Sequence, residues 1–233
     1  MIEVIIQETM GKADYGWLQS KFSFSFGEYF NPDRMNFGPL RVFNDDTFQP
    51  EKGFGLHPHK EMEIVTIVLE GLARHGDSAG DVHFIHAGEI QRISSGTGIE
   101  HFNYNASPIY PMRLLQIWLM PNQKGLSPSW EQRKFETDQM RNCLLPVVSG
   151  SDKENSLHIH QDTTFYMSVL DANQSLSYEA KIGRRTYFYL IDGEVVLDHN
   201  FTLRSGDAAQ ITDIDLLTIQ ANQDSKLLII DLP

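Results

Sequence analysis

The chain has a single cysteine and no long apolar segment. Cys143, alone among 233 residues, cannot form an intramolecular disulfide, which fits a reducing compartment. No stretch approaches the roughly 18 consecutive apolar residues of a membrane-spanning helix. The first residues also lack the basic region of a signal peptide. The sequence therefore predicts a cytoplasmic protein that does not bind membranes.

Basic residues are scarce as well. The chain has 19 Lys and Arg against 31 Asp and Glu, which gives a formal net charge of −12. Such a surface repels phosphate backbones, and no basic cluster exceeds the pair Arg184-Arg185. Direct nucleic-acid binding is therefore not expected, whereas the charge is compatible with a protein partner.

The chain is rich in the patterns that β-strands produce. Phe22, Phe24 and Phe26 alternate with serines, which is the period of a half-buried strand. Glu63 to Leu69 is rich in Ile, Val and Thr, and Met112 to Met120 is a mostly apolar run. Because short strands of this kind are separated by glycine-containing turns, the sequence predicts an all-β protein with a closed or double-sheet architecture.

A weak repetition links the two halves of the chain. Leu69-Glu70-Gly71 in the first half matches Ile191-Asp192-Gly193 in the second. Ala87-Gly88-Glu89 likewise matches Ser205-Gly206-Asp207. Two sets of similar turns at similar spacing indicate two related β-barrels.

We expect one barrel over residues 1–130 and the other over residues 131–233. The boundary is predicted within residues 121–156, which are rich in polar residues and proline. Within this region Ser129 to Arg141 is predicted to hold a short helix.

The pattern with the clearest chemical meaning is the pair His57 and His59. Residues two apart in a strand point to the same face, with their Cα atoms about 6.5–7 Å apart. His101 follows a Gly-Thr-Gly turn later in the chain. Two histidines at this spacing with no third partner are more often ordinary surface residues. Three neutral imidazoles with an open position, however, suit a catalytic transition metal.

Several segments together resemble the pirin family of cupins. In chain order they are Leu40-Arg41-Val42-Phe43-Asn44-Asp45-Asp46, Gly55-Leu56-His57-Pro58-His59-Lys60-Glu61-Met62-Glu63, Leu69-Glu70-Gly71, Ser95-Gly96-Thr97-Gly98-Ile99-Glu100-His101 and Gln116-Ile117-Trp118. The resemblance covers nearly the whole chain and is strongest to bacterial pirin-like proteins with quercetin 2,3-dioxygenase activity.

The resemblance implies two cupin barrels, each a double-stranded β-helix with a jelly-roll-like form. It implies one divalent transition metal, usually iron, in the N-terminal barrel and none in the C-terminal barrel; Ni, Zn, Cu, Mn and Co are the alternatives. His57, His59 and His101 match three of the family's metal ligands. The family's fourth ligand is a glutamate two residues after the third histidine, where this chain has Asn103.

The change to Asn103 leaves three alternatives for the fourth position around the metal. The amide oxygen of Asn103 could bind, although it lacks the charge of a carboxylate. Glu63 could supply a carboxylate, because strand parity places it on the face of His57 and His59. A water molecule could also occupy the position.

The remaining predicted site residues surround this centre. Glu63, if it does not bind the metal, is the candidate catalytic base. Phe54, Phe102 and Tyr104 are candidates to line an apolar substrate pocket.

The other histidines of the chain carry no predicted role. His158 and His160 repeat the two-residue spacing but have no third partner, so we expect them to be packed without a metal. His75, His83 and His86 are expected at solvated or rim positions.

Two functions follow from the resemblance. The first is a metal-dependent dioxygenase that cleaves a flavonol such as quercetin with O2, releasing carbon monoxide and a depside. The second is a non-catalytic regulatory or redox-sensing protein that binds a metal and acts through protein partners.

Overall fold

The computed structural model describes residues 1–77, 80, 82–151 and 153–233, and strands dominate it. The prediction of an all-β protein is confirmed. The strands are β1 Ile2–Ile5, β2 Gly11–Asp14, β3 Leu18–Phe22, β4 Leu40–Phe48, β5 Gly53–His59, β6 Glu63–Glu70, β7 Leu72–Asp77, β8 Val82–His86, β9 Glu89–Ser94, β10 Ile99–Asn105, β11 Met112–Leu119, β12 Ser129–Lys134, β13 Leu145–Ser149, β14 Leu157–His158, β15 Thr164–Leu170, β16 Ser175–Glu179, β17 Arg185–Asp192, β18 Glu194–Leu197, β19 Phe201–Arg204, β20 Ala208–Thr212, β21 Leu216–Ala221 and β22 Ser225–Leu232.

Helical structure in the described residues is limited to two short 3-10 turns, Gln7–Thr9 and Thr137–Met140. The helix predicted over Ser129 to Arg141 is wrong for its first half. That half forms β12, which pairs antiparallel with β9 along its whole length. Pairing with an existing strand outweighs local helix preference there. No helix in the described part of the chain is long and apolar enough to cross a membrane.

The chain forms two compact units, each assembled from more than one segment. The N-terminal unit comprises Gly11–Phe135 and Leu157–Gln161. The C-terminal unit comprises Met1–Met10, Glu136–Ser156 and Asp162–Pro233. The first strand of the chain thus pairs in the C-terminal unit, where β1 lies antiparallel to β20.

Two antiparallel sheets build the N-terminal unit. The larger has the strand order β12-β9-β6-β11-β4-β3-β2, and the smaller has the order β5-β10-β7-β8. On β4, Asn44, Asp46 and Phe48 lie on one face, as the period of two requires. Asp45 on the opposite face forms an ion pair with Arg113 at 2.8 Å.

The C-terminal unit repeats this plan with a packed interior. Its larger sheet has the order β1-β20-β17-β22-β15-β13, and its smaller sheet has the order β16-β21-β18-β19. Buried apolar side chains form one cluster in this unit, including Phe188, Leu190, Leu217 and Ile219.

Glycines at matching turns explain the repetition in the sequence. Gly71, between β6 and β7, has φ 85°, and Gly193, between β17 and β18, has φ 100°. A Cβ added to Gly193 would lie 2.3 Å from the Ser225 hydroxyl oxygen. Both turns need a left-handed residue without a side chain, which is why the same residue recurs in both halves.

Candidate metal centre

Strands β5 and β10 bring three histidines together. His57 and His59 project from the same face of β5, and His101 lies opposite His57 in the antiparallel register. Each residue offers one nitrogen, and these three nitrogens lie within 4.8 Å of one another. The ring centroids form a nearly equilateral triangle with sides of 4.9, 4.5 and 4.7 Å. Zinc–imidazole bonds are about 2.1 Å long, so one ion between the rings is within reach of all three.

Hydrogen bonds orient two of these rings. His57 Nδ1 lies 2.7 Å from the Gly55 carbonyl oxygen, so a proton on Nδ1 is donated there. His101 Nδ1 lies 2.8 Å from Nε2 of His75, which is itself buried. In both rings Nε2 remains for a metal, which is the usual arrangement of a histidine ligand held by a second hydrogen bond.

The bond between His101 and His75 has a further consequence. If His101 Nε2 binds a metal, Nδ1 must carry the proton and donate it to His75. His75 Nδ1 then carries a proton of its own, and the Gln91 amide lies 3.4 Å away. The Gln91 oxygen, buried without a partner in the assigned orientation, becomes the acceptor once the amide is turned over.

Burial favours the neutral form of two of the three rings, His59 and His101. Removal from water lowers the pKa of His59 to about 4, with a further contribution from His57. Burial also lowers the pKa of His101 to about 2, and the neighbouring histidines add to this effect. Neutral imidazoles have free lone pairs at neutral pH. The donor set therefore fits a divalent transition metal.

Asn103 lies beside the cluster, two residues beyond His101 on β10. Its side chain is buried, and its Oδ1 has no hydrogen-bond partner among the described residues. Buried polar atoms are nearly always paired, so an orphaned acceptor here fits an electropositive group. Close approach of β5 depends on Gly53, because a Cβ there would lie 2.1 Å from the Asn103 carbonyl oxygen.

The histidines and Asn103 border a cavity of about 430 Å³. This volume falls within the range of small-molecule sites. Its walls are largely aromatic, with Trp17, Phe22, Phe26, Phe48, Phe54 and Trp118. The Trp118 ring stands edge-on to His59 at 4.8 Å. The arrangement suits a flat aromatic molecule whose polar edge meets the histidines.

Of the three predicted pocket residues, the structure brings only Phe54 to the cavity. Phe102 and Tyr104 lie on the other face of β10, where their rings are 5.9 Å apart. The Arg74 guanidinium lies 5.6 Å from the Phe102 ring. Because His101 faces inward, strand alternation turns Phe102 and Tyr104 outward. Their predicted substrate contact is corrected accordingly.

Glu63 is also placed away from the cavity. Its carboxylate accepts hydrogen bonds from Ser94 Oγ at 2.9 Å and from the His160 backbone N–H at 3.2 Å. The predicted parity with His57 and His59 fails because β5 ends at His59 and the chain then turns at Glu61, where φ is 52°. Neither the metal-ligand nor the base role is supported for Glu63, which instead anchors the segment that carries His160.

Two residues of the site were missed by the sequence reasoning. His75, expected at a solvated or rim position, is 2% exposed on β7. Asp46 lines the cavity from β4, and burial raises its pKa to about 7. The signal for Asp46 was available, since two adjacent acidic residues in the middle of a strand that begins and ends with apolar residues are unusual.

Comparison with known proteins identifies the family. Residues 4–119 match the family described as Pirin, and residues 146–232 match the family described as Quercetinase C-terminal cupin domain. A quercetin 2,3-dioxygenase from Escherichia coli K12 is 40% identical over 223 residues, which cover 96% of this chain and 95% of that protein. This chain belongs to the pirin family. The resemblance seen in the sequence and the prediction of two cupin domains are thereby confirmed.

Other relatives agree with this membership. A pirin-like protein from Caulobacter vibrioides is 37% identical over 226 residues, covering 96% of each chain. The crystal structure of the bacterial pirin YhhW from Escherichia coli in complex with nickel(II) superimposes with a TM-score of 0.95 at 38% identity. That match covers 100% of this chain and 99% of the other.

Proposed function

We propose that this pirin family member is a metal-dependent dioxygenase that cleaves a flavonol such as quercetin with O2. The observation that carries the proposal is a cluster of three histidines at the wall of an aromatic-lined cavity. Support comes from the relatives named quercetin 2,3-dioxygenase, of which the Escherichia coli protein is 40% identical.

One divalent transition metal would be held by His57, His59 and His101, with Asn103 or a water as a fourth ligand. Iron is the expected metal from the family resemblance, and the nickel complex of YhhW makes nickel a second candidate. When bound, the metal supplies a Lewis acid that favours the ionised substrate hydroxyl and orients the substrate towards O2.

The chain's own residues would bind and orient the substrate. The aromatic walls, including Phe54 and Trp118, offer faces and edges for the flavonol rings and keep bulk water out. His75 would hold His101 in one tautomer and one orientation. Reaction of the flavonol with one O2 would yield one carbon monoxide and one depside.

The test is carbon monoxide release and quercetin consumption by purified protein loaded with Fe(II) or Ni(II). We expect His101→Ala to lose both the metal and turnover, because it removes a ligand from a set of three. His158→Ala is the matched control, since His158 is exposed and belongs to a pair with the same spacing. Equal turnover by the parent and His101→Ala would contradict the proposal.

A regulatory role through protein partners is the second candidate. The observation that favours it is Asn103, which removes a negative charge from the place where the family has a glutamate. Tight metal binding without carbon monoxide release from any flavonol would support this function over the first.

A further inference from the structure

Asp46 is a buried carboxyl that faces the same cavity as the histidine cluster. It lies on β4, an interior strand of the larger sheet, opposite Ser20 of β3 and Leu114 of β11. The other polar side chains at the cavity wall include the neutral amides of Asn44 and Gln116. Among the residues that the structure describes, Asp46 contributes the only carboxylate to the cavity wall.

One oxygen of Asp46 has no partner. The residue is 4% exposed, and Oδ1 is buried without a hydrogen bond among the described residues. Ser20 supplies a side-chain hydrogen bond to the carboxylate. Structures rarely leave a buried carboxylate oxygen unpaired, so an orphaned oxygen at a cavity wall points to a donor group on a ligand.

The surroundings of Asp46 favour its protonated form. Burial is the largest cause of its raised pKa, and the neighbouring Asp45 adds repulsion. The nearby cations do not compensate, since Arg113 is bonded to Asp45. Lys21 likewise lies opposite Asp45 in the register.

Other titratable groups face the cavity as well. They are Tyr15 and the three histidines, His57, His59 and His101. None of these side chains is a carboxylate. The amide of Asn103 cannot take up a proton. Glu63 does not line the cavity, and its carboxylate accepts hydrogen bonds from Ser94 and His160.

We propose that Asp46 is the catalytic base that accepts the proton of the flavonol 3-hydroxyl, so that the substrate meets the histidine cluster as an anion. The O–H bond of the substrate breaks and its electron pair stays on the substrate oxygen. A new O–H bond forms at Asp46 Oδ1, so one negative charge passes from the protein to the substrate. No oxidant is needed for this step, which rests on the proposed function.

A carboxyl of this kind is suited to the task. A base whose pKa lies near the working pH both accepts a proton and returns it. After the transfer the carboxyl of Asp46 is neutral. The negative charge that was unfavourable on this buried side chain is then carried by the substrate. The histidine cluster, positive when it holds a divalent metal, then faces the substrate anion.

The first test compares quercetin bound to the metal-free protein with quercetin bound to Asp46→Asn at pH 7.5. Ionised flavonols absorb at longer wavelength than neutral ones. We expect the long-wavelength spectrum with the parent and the neutral spectrum with Asp46→Asn. Asp46→Glu should restore the ionised spectrum in part, and Glu63→Gln is the control for a carboxylate outside the cavity.

The second test uses the metal-loaded protein. Asp46→Asn should keep the metal stoichiometry of the parent but lose about 100-fold or more in kcat at pH 7, the lower end of the usual range for loss of a base. The deficit should shrink as the pH rises and free quercetin ionises in solution. Identical spectra and identical pH–rate profiles for the parent and Asp46→Asn would overturn the role of Asp46 while leaving the dioxygenase proposal intact.

A different result would remove both proposals. If the parent protein neither shifts the quercetin spectrum nor releases carbon monoxide with any metal tested, the proposed function fails and the role of Asp46 fails with it. Thermal unfolding of each variant distinguishes a missing base from a missing fold.

Discussion

The interiors of the two units differ although their sheets follow the same order. In the smaller sheet of the N-terminal unit, β10 lies next to β5 and β7; in that of the C-terminal unit, β21 lies next to β16 and β18. The inward residues of β10 are His101, Asn103 and Asn105, whereas β21 buries apolar residues such as Leu217 and Ile219. One architecture thus accommodates either an aromatic-lined cavity with a histidine cluster in its wall or a packed apolar core.

The difference shows where each unit gains stability. Burying apolar side chains stabilises the C-terminal unit by about 25 cal/mol per Å². The N-terminal unit instead retains buried acceptors without partners on Asn44, Asp46 and Asn103. Such groups are unfavourable in the ligand-free protein. We infer that the N-terminal unit holds them because a ligand supplies the missing partners.

Exchanging residues between matching strands would test this comparison most strongly. Ile219→Asn puts an amide into the packed C-terminal core and should lower the free energy of unfolding by about 3 kcal/mol, since it removes apolar contacts and buries a polar group. Asn103→Leu should change it by less than about 1 kcal/mol, because one orphaned acceptor disappears. Chemical denaturation measures both.

Ile219→Val is the control for the loss of volume alone and should lower stability by about 1 kcal/mol. Equal losses for Ile219→Asn and Asn103→Leu would show that the two interiors are energetically alike.

The charge of Asp46 provides the second test. Its pKa is raised in the folded state from 3.8 to about 7, so the folded state binds the proton more tightly than the unfolded state. Stability is therefore highest below about pH 4 for this group and is lost as the pH rises to about 7. Asp46→Asn should be more stable than the parent at pH 8, by about 2 kcal/mol and at most about 4 kcal/mol.

The advantage of Asp46→Asn should become small near pH 4 and vanish near pH 3, where the parent carboxyl is protonated in both the folded and the unfolded states. Thermal unfolding at several pH values measures it. A constant difference between the two proteins from pH 4 to pH 8 would show that Asp46 is not responsible.

The third test concerns the hydrogen bond between His75 and His101 in the N-terminal unit. The expected effect, on metal affinity, is smaller than the two effects on stability. His75→Phe should weaken metal binding by about tenfold or somewhat more, as expected when the partner of a histidine ligand is removed. Calorimetric titration with nickel(II) measures the affinity. The control is His86→Phe, an exposed histidine on the neighbouring strand β8, and an equal loss in that variant would argue against a specific role for His75.

Substitution of Asn103 is expected to give the smallest change. It should raise the metal affinity rather than lower it. Asn103→Glu adds a negative charge and a strong oxygen ligand, so metal affinity should rise by about tenfold if position 103 faces the metal. Asn103→Gln, with a similar length and no charge, is the control. An unchanged affinity in Asn103→Glu would leave the fourth position to water.

Much of the fold and of the centre could be predicted from the sequence, because both follow from local periods. The alternation of two placed His57 and His59 on one face, and matching glycine turns marked two similar units. The same alternation could have excluded Phe102 and Tyr104 from the cavity. If His101 points inward, the residues one and three positions after it point outward. That error was avoidable without a structure.

The sequence by itself determined the all-β class, because strand period and turn glycines are local properties of the chain, and its motifs determined the resemblance to pirins and the three histidines that match the family's ligands. Only the tertiary structure decided the rest of the site. It placed Glu63 outside the site, because the left-handed backbone at Glu61 ends the strand alternation that begins at His57 and His59. It added His75 and Asp46, which reach the site from β7 and β4. Sheet order and register bring such distant strands together, and no local pattern specifies them.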